Sequence, residues 1–150
     1  MSDIHIVQYY PHDVRTVWSA LTEPELIPRW TVTGAGGRPV GFDTTVGTKF
    51  QFIAKPKPGW DGIVNCEVLE VAEPVLLRYR WTDSTGGDDT VVAYRLEPEG
   101  PGGTATRLIY DHTGFTGVGG FFMARLLGRV RRKMLRVGLP PVLDSIAAPV

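Results

Sequence analysis

The chain predicts an α+β fold: an antiparallel sheet of about six strands, two short helices after the first strand, and one long C-terminal helix. Three observations predict it. Aromatic and aliphatic residues alternate with charged or polar ones over four stretches between residues 49 and 112, the period-two signature of half-buried strands. The 18 Gly and 12 Pro gather between those stretches, as hairpin connections require. After residue 120 the apolar period lengthens to that of an amphipathic helix.

The elements follow in order. Ile4 to Tyr10 alternates and is β-branched, so it reads as a strand that Pro11 stops. Pro11-His12-Asp13 suits a helix start, and Val14, Val17, Trp18 and Leu21 recur at helical spacing to about Thr22. Thr22-Glu23-Pro24-Glu25 matches a capping box, predicting a second short helix to about Arg29. Residues 33–45 are Gly-rich and irregular, and Gly34-Ala35-Gly36-Gly37 reads as a flexible loop. Phe50 and Phe52 then alternate with Lys49 and Gln51, Tyr79 and Trp81 with Arg78 and Arg80, and Val92, Tyr94 and Leu96 with Ala93 and Arg95. Leu108, Tyr110 and His112 alternate with Arg107 and Asp111. Over 122–137, Met123, Leu126, Leu127, Val130, Met134 and Val137 fall within an arc of about 100°, with Arg125, Arg129, Arg132 and Arg136 opposite. Gly138 and Pro140-Pro141 are expected to end or kink this helix before a further turn or two over 142–147.

Composition bounds the function. A length of 150 residues fits one domain over 1–150, and 43% hydrophobic against 21% charged residues excludes a disordered chain. Sixteen acids balance sixteen bases, which speaks against nucleic acid or an anionic membrane as partner and for a neutral or apolar one. Cys66 is the single thiol, so no internal disulfide forms and zinc spacings are missing. The start lacks a signal-peptide pattern and no apolar run reaches the roughly 18 residues of a membrane span. A cytoplasmic location is the expectation.

The order of strand, two short helices, five-strand meander and long helix is that of the helix-grip fold, whose sheet wraps the last helix and leaves a cavity between them. Val17-Trp18-Ser19-Ala20-Leu21-Thr22-Glu23-Pro24-Glu25-Leu26, Trp30, Val46-Gly47-Thr48-Lys49-Phe50, residues 62–71 with Glu73-Pro74, Leu77-Arg78-Tyr79-Arg80-Trp81, Gly103-Thr104 and His112-Thr113-Gly114-Phe115 carry a resemblance. They resemble the START-like (SRPBCC) superfamily and, within it, the group similar to the activator of heat-shock protein 90 ATPase. The last quarter departs: Gly138-Leu139 stands where that group usually has Gly-Trp, and the basic 125–136 helix looks more like the polyketide cyclase or dehydrase branch. The resemblance implies a possible chaperone partner, although eukaryotic heat-shock activators carry a further chaperone-binding domain for which this chain has no room.

No P-loop, dinucleotide fingerprint or His-Glu-x-x-His motif is present, and neither a cofactor nor a metal is expected. His5 and His12 lie far from His112 in sequence, which makes a three-His metal site a poor reading. The inward face of the strands is the better candidate: Phe50, Phe52, Tyr79, Trp81, Tyr94, Tyr110 and His112, with Trp30 from the second helix and Met123 and Leu127 from the last. Aromatic walls with a few polar donors suit a planar or lipophilic ligand; the same rings also serve as core. His112 could orient a ligand carbonyl or move protons beside Tyr110, Tyr79 or Tyr94; a strand-ending His also commonly bonds backbone. The six cations between Phe121 and Val137 read as a solvated helix back, and the glycines of 113–120 as an entrance loop or a plain connector. The expected function is non-catalytic binding of a small hydrophobic or aromatic molecule. The alternatives are a cyclase or dehydrase-like enzyme using His112 and Tyr110, and a co-chaperone stimulating a heat-shock protein ATPase.

Overall fold

A computed structural model describes residues 3–31, 37–84 and 88–147. Its elements are β1 (Ile4–Tyr10), α1 (Val14–Thr22), α2 (Ile27–Thr31), β2 (Arg38–Val40), β3 (Lys49–Ile53), β4 (Ile63–Ala72), β5 (Leu76–Asp83), β6 (Thr90–Glu99), β7 (Ala105–Thr113), α3 (Gly117–Lys133) and α4 (Leu139–Ala147). The strands form one antiparallel sheet of seven, in the order β1-β7-β6-β5-β4-β3-β2. It is the helix-grip architecture. The additional strand is β2, which pairs with Gln51 to Ile53 inside the stretch expected to be irregular. Three residues with a central Pro39 carry no readable alternation, and an edge is where a sheet tolerates such a strand. Of the expected flexible loop only Gly37 falls within the described residues, and the tip of the 84–89 connection also lies outside them.

The alternation sorts the faces. Val64, Cys66, Val68, Leu77, Tyr79, Trp81, Val92, Tyr94, Leu96, Leu108 and Tyr110 are buried on the concave side. On the convex side Arg80 pairs with Glu67 at 2.7 Å, Arg78 with Glu70 at 3.0 Å and Arg107 with Glu97 at 2.9 Å. Such exposed cross-strand pairs contribute at most about 1 kcal/mol each and mainly fix which face is wet. A bulge between Val68 and Glu70 shifts the β4–β5 register and sharpens the curl that makes the concave side a trough.

Asp13 caps α1, its Oδ1 accepting the Thr16 N–H at 2.8 Å. The capping box at Thr22 is not used. Glu23 N–H still bonds Ser19 carbonyl and the Thr22 hydroxyl donates back to Trp18 carbonyl at 2.7 Å, so Thr22 closes α1, and α2 begins only at Ile27.

Around Gly138-Leu139-Pro140-Pro141, where the helix is expected to end or kink, regular α-helix stops at Lys133 but helical turns continue. Residues Met134–Gly138 form a π-helical turn that joins α3 to α4, with Leu139 N–H bonded five residues back to Met134 carbonyl. In that register the Leu135 carbonyl would face Pro140, which has no N–H to give. Tyr10 donates its hydroxyl to Leu135 carbonyl at 2.6 Å instead, pinning the end of β1 to the wide turn. Tyr10→Phe leaves this carbonyl unsatisfied in a buried setting and is expected to cost about 1–3 kcal/mol, read as a lower urea midpoint at unchanged slope.

The buried residues of α3 are Gly120, Ala124 and Gly128; a Cβ on Gly120 would meet Phe115 and Asp88 at 3.0 Å, and one on Gly128 the Arg132 guanidinium of its own helix at 3.2 Å. The apolar arc Met123, Leu126, Leu127 and Val130 stays exposed or half-buried because it overhangs the trough.

Candidate functional site

Between the concave sheet and α3 lies an open cavity of about 430 Å³. Trp30 of α2, Phe52 of β3, Tyr79 and Trp81 of β5, Tyr94 of β6, and Met123 and Leu127 of α3 line it, seven of the ten residues expected from sequence. Each strand residue arrives there because a curled antiparallel strand sends every second side chain into the trough.

Phe50, Tyr110 and His112 do not line the cavity, although they share its face. Phe50 is wedged edge-on among Phe42 at 4.9 Å, Phe52 at 5.5 Å and Tyr79 at 5.3 Å, so it supports the wall from behind. Tyr110 and His112 stand on β7, where α3 and Phe115 cover the sheet: Arg131 bonds Tyr110, and the Phe115 ring lies 4.7 Å from His112. Both are fully buried.

Sequence reasoning misses Arg131, which it places with the solvated helix back. The side chain lines the cavity, with its guanidinium 5.9 Å from the Trp81 ring centre. A signal is present in the sequence. At about 100° per residue Arg131 falls about 40° from Leu127 and about 100° or more from Arg125, Arg129, Arg132 and Arg136. Trp60 of the β3–β4 hairpin also lines the cavity, and its indole N–H is shut from solvent without a partner among the described residues.

The donors and acceptors around His112 have one consistent assignment. Arg131 Nε, which can only donate, gives its hydrogen to Tyr110 Oη at 2.9 Å. Tyr110 Oη is then left to donate to His112 Nδ1, over a long 3.4 Å. His112 Nε2–H donates to Thr90 Oγ1 at 2.7 Å, and Thr90 Oγ1 donates to Trp81 carbonyl at 2.7 Å. Burial first, and then the Arg131 charge, push His112 down to about 2, so the ring is neutral near pH 7 and holds one tautomer. Burial likewise raises Tyr79, Tyr94 and Tyr110 above the ordinary phenol value, and their hydroxyls act as neutral hydrogen-bonding groups. In this arrangement His112 orients Tyr110, and through it Arg131.

His5 and His12 lie elsewhere, with His5 Nδ1 2.6 Å from Asp111 and His12 Nε2 2.9 Å from Asp144. Among the described residues no three His, Cys, Asp or Glu side chains gather where they could hold a metal ion, and no helix is long and apolar enough to cross a membrane.

Residues 11–123 match the family model of Activator of Hsp90 ATPase homolog 1-like proteins. The chain belongs to that family. The match to the Hsp90-activator-like family stops just inside α3, in keeping with the departure expected of the last quarter. No curated protein matches. Among solved structures, a protein of Mesorhizobium loti is 25% identical, with a TM-score of 0.73, over 97% of this chain and 99% of that one. An Hsp90 activator from Plasmodium falciparum is 16% identical, TM-score 0.68, over 99% of both chains. DynU16, a protein of the dynemicin biosynthetic locus, is 23% identical, TM-score 0.65, over 93% of this chain and 49% of its own. The last two likenesses show the shared fold.

Proposed function

We propose that this Hsp90-activator-like protein binds a small hydrophobic or aromatic molecule in the cavity between sheet and α3. The observation that carries the reading is the cavity itself: about 430 Å³, within the usual range for small-molecule sites, with an aromatic wall from Trp30, Phe52, Tyr79, Trp81 and Tyr94. A core built only for stability fills such space at crystal-like density. The compartment proposed is the cytoplasm, which suits a lone buried thiol at Cys66. Native mass spectrometry of the protein purified from its own host is expected to reveal one retained apolar molecule, lost on denaturation. Protein without such an adduct, together with no response of tryptophan fluorescence to a library of lipids and aromatic metabolites below about 1 mM, counts against the reading.

The family membership supports a second reading, a co-chaperone acting on a heat-shock protein 90 ATPase. That reading expects the cognate ATPase rate to rise when the protein is added, and an unchanged rate disposes of it. The cyclase or dehydrase alternative would place proton transfer on His112 and Tyr110, which are buried and do not line the cavity; it expects His112→Ala to abolish turnover while leaving ligand affinity nearly intact.

A further inference from the structure

Among the described residues Arg131 is in none of the ion pairs, and Asp83 is the acidic residue that lines the same cavity. Three groups surround Arg131: the Tyr110 hydroxyl accepts from Nε, Met134 Sδ sits 3.5 Å from Nη1, and the Trp81 ring lies beside the guanidinium. None of them is an anion, since burial keeps the Tyr110 phenol protonated. Of the five N–H donors of a guanidinium, one goes to Tyr110 and one to the weak sulfur acceptor, which leaves three without a hydrogen-bond partner among the described residues. A permanently charged side chain half-withdrawn from water without an ionic partner is costly. The fold nevertheless fixes it there by the Thr90–His112–Tyr110 chain, on the side of the cavity where the sheet meets α3.

From this we propose that Arg131 is the anchor for an anionic group on the ligand: the cavity takes a flat apolar or aromatic molecule bearing a single carboxylate, which pairs with the free edge of the guanidinium while the rings of Trp30, Phe52, Tyr79 and Trp81 enclose its apolar body. The proposal rests on the cavity being a ligand site. A planar guanidinium matches a carboxylate through two parallel hydrogen bonds, and a site shielded from water makes that pair stronger than it is at the surface. Tyr110 and His112 are positioning residues, since neither lines the cavity.

The test uses two probes of nearly the same shape, 2-naphthoate and the uncharged 2-naphthamide, titrated while the indole N–H signals of Trp30, Trp60 and Trp81 are followed by NMR. The wild-type protein is expected to bind naphthoate at least tenfold more tightly than the amide. Arg131→Met, checked for folding by circular dichroism, is expected to bring the two dissociation constants within about threefold of each other, and Arg131→Lys to keep most of the preference. Tyr110→Phe, which loosens the guanidinium without removing it, is expected to give an intermediate preference. Equal binding of the two probes by the wild type, or a preference that survives Arg131→Met, overturns the anchor and leaves the cavity reading standing. If neither probe moves the three indole signals while other apolar or aromatic compounds do, the anchor falls and the cavity reading stands; if no compound moves them, both fall.

Discussion

His112→Leu is expected to lower stability by about 2–4 kcal/mol at pH 7 and to flatten the loss of stability in acid. The first effect follows from what leucine leaves behind. Thr90 Oγ1 loses a donor and Tyr110 Oη an acceptor, both buried, and each orphaned group costs about 1–3 kcal/mol, with less than full additivity because the two share one network. The second follows from linkage. The unfolded imidazole takes its proton near its ordinary value of 6.5, and the folded one only near about 2. Between those limits the unfolded state holds more protons, so stability rises with pH, by up to about 1.4 kcal/mol per unit. The contribution is complete above pH 6.5 and is lost as the pH falls toward 2. Asp13, Asp61 and Asp88, whose carboxyls are lowered by hydrogen bonds to Thr16, Ser84 and Thr116, add a loss of the same sign, but only near and below the carboxylate range. Urea titrations between about pH 6.5 and 4.5 therefore isolate the histidine: the wild type should slope and the variant should slope less. Parallel curves would mean that His112 is protonated in the folded protein.

The other large effect is expected at Gly62, in the hairpin that forms one wall of the cavity. Its φ is +81°, and a Cβ there would meet the Ala54 carbonyl oxygen far inside van der Waals contact, while its own carbonyl accepts the Ala54 N–H at 2.8 Å. Gly62→Val thus combines a left-handed backbone, costing about 1–2 kcal/mol for an ordinary residue and more for a β-branched one, with a clash that only backbone movement relieves. A total of about 3–5 kcal/mol is expected. Gly59→Ala is the matched control. Its φ is +82°, yet nothing lies within 4 Å of the added Cβ, so only the backbone penalty of about 1 kcal/mol applies. Urea midpoints for the two variants should separate accordingly; equal losses would mean that the contact with Ala54 carries no cost. Gly62→Val should also weaken ligand binding beyond its effect on folding, because the displaced 54–62 hairpin carries Trp60.

The strands are legible in the sequence because period-two alternation with one charged face fits a half-buried strand and little else, and Arg78, Arg80 and Arg107 do lie on the wet side with their acidic partners. The helix starts are less so. Thr22 satisfies a local capping rule, but the longer α1 claims it first, a tertiary choice that four residues do not encode. The interruption expected at Gly138 takes the form of a π-turn for a comparable reason, since that turn and a hydroxyl 125 positions away, that of Tyr10, supply what the prolines remove. Within the candidate site, alternation identifies the face but not the stretch of that face which stays open. Phe50, Tyr110 and His112 are indistinguishable from Phe52, Tyr79 and Trp81 by phase, and only the placement of α3 and Phe115 over β7 separates the β7 pair. Helical phase does single out Arg131, but counting the cations around it as one group hides that.

The proposed ligand site is the trough beneath α3. Chemical-shift mapping of an apolar and aromatic compound library onto the four indole N–H groups tests it most directly. Trp30, Trp60 and Trp81 line the cavity, whereas Trp18 donates its N–H to Glu73 at 3.2 Å and serves as the internal control. Compounds with dissociation constants below about 1 mM are expected to shift the first three signals and leave Trp18 in place. A library with no such binder, or binders that leave those three signals unmoved, would contradict the proposed ligand site.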